Sequence, residues 1–150
     1  MADINSYEAD QIAALKKLHP SKHNRVRALT FRTPATYTAA QNDTVGSGMV
    51  IPAGSKLLPA LVSSATNASA VTLSLGIRKR DAAKTAISAT AIVNALAITT
   101  AQVSMPMTGV KITGGQSYVT PEDCEPYITL GGGTPTANAA IEVTVYYVAP

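Results

Sequence analysis

Two stretches of the chain alternate strictly between apolar and polar positions. In the first, Val71, Leu73, Leu75 and Ile77 fall on one side of an extended backbone, and Thr72, Ser74 and Gly76 fall on the other. In the second, Ile141, Val143, Val145 and Tyr147 oppose Glu142, Thr144, Tyr146 and Val148. A period of two is that of a β-strand, so each stretch predicts a strand with one face on a core and the other toward solvent or a partner. Further strands are predicted at Arg25–Arg32, Ser47–Ile51, Lys56–Ser63, Gln102–Ile112 and Tyr127–Leu130. Turn signals separate them at Pro52-Ala53-Gly54, Thr113-Gly114-Gly115 and Gly131-Gly132-Gly133-Thr134-Pro135. Short strands punctuated by Gly and Pro predict an all-β fold, a jelly-roll-like β-sandwich.

Two segments depart from this pattern. Residues 1–24 read as an N-terminal arm ahead of a β domain at 25–150. Within the arm, Asn5 followed by Glu8 fits a capping box, and Tyr7 to Leu18 favours a short helix. Ile12, Leu15 and Leu18 then form one narrow apolar stripe, and Pro20 ends the helix. Three turns are marginal alone in water, so the stripe needs a covering surface. The second departure is Asp81–Ala97, which is rich in Ala and ambiguous: Asp81 could cap a helix, the apolar spacing from Ala86/Ile87 to Ile92/Val93 fits either template, and its Thr and Ile tolerate strand; it is expected to be a long excursion loop that partly pairs.

A chain of 150 residues suits one core of this kind. Ala and Thr supply 43 residues, Trp is absent and Phe31 is the sole Phe. Charged residues make up 14%, against roughly 25% in an average soluble protein. Two readings fit so low a charge: a surface largely covered by other protein, or a plain Thr/Ser-rich β surface. Cys124 stands alone, which excludes an intrachain disulfide and a cysteine-built zinc site. No apolar run is long enough to span a membrane. Asp3, Glu8 and Asp10 occupy the place of a basic signal-peptide region, so synthesis in a cytoplasm without export is expected.

Candidates for catalysis are few. His19 and His23 lie in the arm around Pro20, far in sequence from Cys124, and no third metal ligand accompanies them. Glu122, Asp123 and Glu125 cluster between Pro121 and Pro126; they read as an exposed acidic corner, with a docking point for a basic neighbour as the sharper alternative. Gly131–Thr134 lacks the Lys-Ser/Thr ending of a phosphate loop. The expectation is a non-enzyme with no catalytic residue, cofactor, metal or small-molecule substrate.

The strongest functional signal is basic. Lys16, Lys17, Lys22, Arg25, Arg27 and Arg32 fall within 17 residues that contain no acid. Together with Ile12, Leu15 and Leu18, the first five make a candidate contact surface for an acidic, partly apolar protein partner. Nucleic acid is a weaker alternative: the sequence pI is about 9.1, but only Phe31 and Tyr37 lie near as stacking platforms.

The order of segments from residue 46 adds a resemblance. It runs from Gly46-Ser47-Gly48-Met49-Val50-Ile51-Pro52-Ala53-Gly54-Ser55-Lys56 through Val71-Thr72-Leu73-Ser74-Leu75-Gly76. An Ala/Thr-rich excursion leads on to Tyr118-Val119-Thr120 and Tyr127-Ile128-Thr129-Leu130-Gly131-Gly132-Gly133. It closes on Ala140-Ile141-Glu142-Val143-Thr144-Val145-Tyr146-Tyr147-Val148. This order, over about two thirds of the chain, resembles the capsid cement or decoration proteins of tailed bacteriophages. The resemblance implies a structural virion protein on the outer capsid surface, with the major capsid protein and its own copies, as dimer or trimer, for partners. It covers none of the arm. A β-sandwich module for host glycans or receptors is the alternative of a different class; it requires exposed aromatics, and Tyr37, Tyr118, Tyr127, Tyr146 and Tyr147 are the tyrosines the β domain offers.

Overall fold

In a computed structural model, residues 25–114 and 118–150 are described. They form nine strands: β1 Val26–Arg32, β2 Thr44–Gly46, β3 Lys56–Leu57, β4 Leu61–Ser64, β5 Thr72–Lys79, β6 Ala86–Ala97, β7 Gln102–Ser104, β8 Cys124–Gly131 and β9 Ile141–Val148. One helical turn, Val110–Thr113, follows β7. Sheet I has the order β1-β9-β4-β7, with β3 also on β9; sheet II has the order β2-β8-β5-β6. The antiparallel partners are nested: β1 with β9, β2 with β8, β4 with β7, β5 with β6. The chain is therefore one long hairpin wound onto itself. With β3 and β4 counted as a single strand interrupted around Pro59, eight strands make the double-sheet jelly roll that the alternation predicts.

The alternating rows do what their period requires. Leu73, Leu75 and Ile77 of β5 are fully buried, as are Ile141, Val143 and Val145 of β9 to within 1%. They meet Phe31, Leu57 and Val62 of sheet I and Ile128 and Leu130 of sheet II in one core cluster between the sheets. Burying a side chain of this size is worth roughly 1.5–3 kcal/mol.

Several boundaries differ from the sequence expectation. Ser47–Ile51 is not a strand: the pairing segment is β2, just upstream, and Ile51 makes one isolated bridge to Cys124. Lys56–Ser63 splits where Pro59 removes a ladder donor. Gln102–Ile112 pairs only through Ser104, because Pro106 and Gly109 follow. The larger correction is Asp81–Ala97, which holds the 12-residue strand β6. It escapes the template because its register on β5 shifts repeatedly: Leu75 faces Val93, yet Ile77 faces Ser88. Two steps on β5 thus oppose five on β6, and the surplus turns Ala91, Ile92 and Val93 inward consecutively. Ala95, at φ 49°, completes the distortion, and Ser74 Oγ accepts its amide.

The irregular β6 lies hard against Gly76. A Cβ there would stand inside contact distance of the Ser88 and Ala89 carbonyls, which are backbone and cannot rotate away. Gly76→Ala is therefore expected to cost roughly 1–3 kcal/mol, as overpacking does. Gly114→Ala, whose nearest neighbour is 3.6 Å away, is expected to stay within about 0.5 kcal/mol. Urea titration of both variants checks the contrast.

Candidate interaction surface

At the acidic turn the structure again corrects the sequence reading. Glu125 is not an exposed corner but 3% accessible. It projects from β8 on the outer side of sheet II, opposite Arg78 of β5. Arg78 donates through Nη2 at 3.1 Å and Nε at 3.3 Å; Lys84 Nζ donates at 2.9 Å and the Gly48 amide at 2.8 Å. The guanidinium also lies 5.0 Å from the Tyr127 ring centroid. Gly46 passes so close over this pair that a Cβ would collide with Arg78 and Glu125. Nearby, Asp123 accepts the Ala53 amide at 2.9 Å, and half-buried Glu122 pairs with Lys79 at 3.0 Å. Glu125 and Asp123 thus fasten the segment between β2 and β3 to β8 and the turn before it, while Glu122 ties that turn to β5.

Burial alone would raise the Glu125 carboxyl, but the bonds from Arg78, Lys84 and Gly48 outweigh it and hold the group down at about 2, against an ordinary 4.5. A depressed folded value means stability that is complete above about 4.5 and lost as pH falls toward 2. Glu125→Gln is expected to lower stability by ~3 kcal/mol at neutral pH. That deficit should shrink below pH 4.5 and vanish near pH 2, as measured by denaturant midpoints of both proteins across the range.

Cys124 is fully buried, and burial first, then Asp123 and Glu122, pushes its thiol up to about 12. It stays protonated at neutral pH and is a poor nucleophile. Among the described residues no three His, Cys, Asp or Glu side chains gather as metal ligands. Two shallow depressions of about 550 and 330 Å³ meet at Arg32 and Thr33. Their linings of Pro, Ala, Ser and Asn bring no acid–base pair together around that arginine beyond Glu142 at one margin.

The candidate contact residues Ile12, Leu15, Lys16, Lys17, Leu18 and Lys22 lie outside the described residues, as do His19 and His23. Arg25 and Arg27 are described, and both are exposed where the chain enters β1. Phe31 points into the core, and Arg32, on the opposite parity, faces outward.

Sequence reasoning missed an apolar row on the outer face of sheet I. Cross-strand register sets Val26 beside Val148, Ala28 beside Tyr146 and Ser63 beside Val103. The Leu58 amide donates to the Tyr146 carbonyl at 3.0 Å, which brings Leu58 and Pro59 into the same row. Val26, Leu58, Pro59, Met105 and Tyr146 line an open depression of about 290 Å³. Val103 is 69% exposed, Val26 60% and Met105 47%. The signal was present in Tyr146 and Val148, the apolar members of a row expected to be polar.

With the geometry in place, the fold can be set beside known structures. The chain is similar to a chain in the capsid of Ralstonia phage GP4, with a TM-score of 0.64 and 19% identity over 84% of this chain and 85% of that one. It is also similar to a chain of the cyanophage Pam1 capsid asymmetric unit, with a TM-score of 0.60 and 19% identity over 85% and 86%. At this identity the likeness is one of fold. No family model matches the chain, and no curated protein does.

Proposed function

We propose that this protein is a non-enzymatic structural component of a bacteriophage virion that decorates and cements the outer capsid surface by clamping neighbouring major capsid proteins. The observation that supports this reading is the match in fold to two phage capsid chains, over about 85% of each chain. The β domain from residue 25 acts as the rigid body. The arm, residues 1–24, reaches to the shell or a sister copy. Many weak contacts repeated by symmetry raise the effective affinity, and dimers or trimers at symmetry axes fit this arrangement.

The tyrosines weigh against glycan binding. Tyr127 and Tyr147 are buried, and Tyr37 and Tyr118 pack against the core. Tyr146 is left without an aromatic partner for a sugar-stacking platform among the described residues.

Co-sedimentation with assembled phage heads that lack this chain tests the reading, the unaltered protein being expected to pellet with them. Within it, reversing Lys16 and Lys17 to Glu should weaken attachment several-fold at low salt and little at high salt, because steering between exposed charges is screened. Leu15→Asp should weaken it about ten-fold or more at every salt concentration, because the loss is apolar burial. If the stripe of Ile12, Leu15 and Leu18 packs on its own β domain instead, Leu15→Asp will melt early before any head is added.

A further inference from the structure

The two sheets have four edges, and three of them are guarded. β2 and β7 are three residues long, too short to template another strand. β6 is long but bulged, and Gly109 lies against its backbone at Ile92. Beside it, the Thr108 hydroxyl accepts the Asn94 amide at 3.0 Å and donates to the Asn94 carbonyl at 3.2 Å. β1 is the exception. Its seven residues pair with β9 without a register shift and include no Pro or Gly. The Ala149 amide donates to the Arg25 carbonyl at 3.1 Å, and the Thr33 amide donates to the Ile141 carbonyl at 2.9 Å. The odd-numbered residues of β1 therefore turn their backbone groups to β9. Val26, Ala28, Thr30 and Arg32 turn an amide and a carbonyl each to the open flank, where nothing among the described residues bonds them.

We propose that β1 is where two copies of this chain join, antiparallel about a two-fold axis at Leu29, so that the two copies of sheet I run on as one sheet. The inference stands apart from the capsid reading and is tested without heads. Among two-fold registers, the one centred on Leu29 overlaps the whole of β1. It sets Val26 against Arg32 of the second copy and Ala28 against its Thr30, so every open amide meets an open carbonyl. The side chains agree with this register. Leu29, packed on the margin of the core, meets its own copy. Arg27 stands opposite Phe31, and the aliphatic stem of Arg32 lies along Val26, which is 60% exposed in the single chain. No arginine faces an arginine, whereas centring on Arg27 or Arg32 would set like charges directly opposite. A self-matching edge makes an isologous contact, the commonest form of oligomer. The contact is narrow, so the dimer is reversible. An acidic strand from another protein is the rival occupant, and salt separates the two.

The test uses the full-length chain in solution. Its mass by light scattering should rise with concentration from one chain toward two. The dimer should tighten as salt screens the arginines along the joined ribbon. A dimer that weakens with salt is held by opposite charges elsewhere and overturns the proposal. Ala28→Pro removes an open-flank amide and no bond to β9, so it should fold as before and weaken the dimer about ten-fold or more. Should the proline disturb β1 itself, hydrogen exchange on the unaltered chain decides. The amides of Val26, Ala28, Thr30 and Arg32 should slow as the protein is concentrated, while those of Leu29 and Phe31 are slow throughout. Leu29→Cys should cross-link to its own copy under mild oxidation, and Val103→Cys, exposed on the far edge of sheet I, should not. A chain that stays monomeric at every concentration overturns the proposal. So does a dimer in which those four amides exchange as fast as in the dilute chain, or one that cross-links through Val103→Cys and not Leu29→Cys. Protection of the same amides only when heads are added overturns it too, and gives the edge to a strand of the shell.

Discussion

β9 exchanges backbone hydrogen bonds with β1 through seven residue pairs on one flank and with β3 and β4 on the other. That register is the constraint on which sheet I depends. A slip of one residue would turn Ile141, Val143, Val145 and Tyr147 to the outside and Glu142 to the core. Pairing on both flanks and burial of one face enforce the same answer, so the register is determined twice. The outward row follows from it: once Tyr147 is committed to the core, Tyr146 and Val148 must stand beside Ala28, Val26 and Leu58. The apolar outer face is thus a consequence of how the core is filled, made available for binding by residues added to it from β1 and β7.

The two sheets divide the remaining work. Sheet II carries the Arg78–Glu125 pair, nearly shut off from water and covered by Gly46, with half-exposed Lys84 completing it from the margin. Buried ion pairs of this kind are costly to form and more costly to break, so they fix geometry more than they add net stability. Sheet I has no comparable side-chain network among the described residues; across its outer face Arg32 stands opposite Glu142.

Where alternation is regular the sequence is a faithful guide. β5 and β9 are readable from their side chains because each step along the chain is one step along a straight ladder. β6 is not, because its bulges break the link between sequence position and facing direction: Ala91, Ile92 and Val93 are all buried, which no period-two reading anticipates. The split of β3 from β4 could be seen in Pro59 once proline is read as a lost donor. Glu125 was misread for a different reason. Its partners Arg78 and Lys84 lie more than forty residues upstream, and a run of acids between prolines looks solvated until the fold brings cations to it. The outer apolar row is a third case, since it combines four strands and only the register assembles it.

The most direct measurement of the central claim is a cryo-electron-microscopy reconstruction of phage particles that contain this chain. The account predicts jelly-roll density outside the major-capsid floor at the junctions between capsomers. Density for this chain within the floor itself, inside the shell, or standing clear of neighbouring capsid subunits would contradict it.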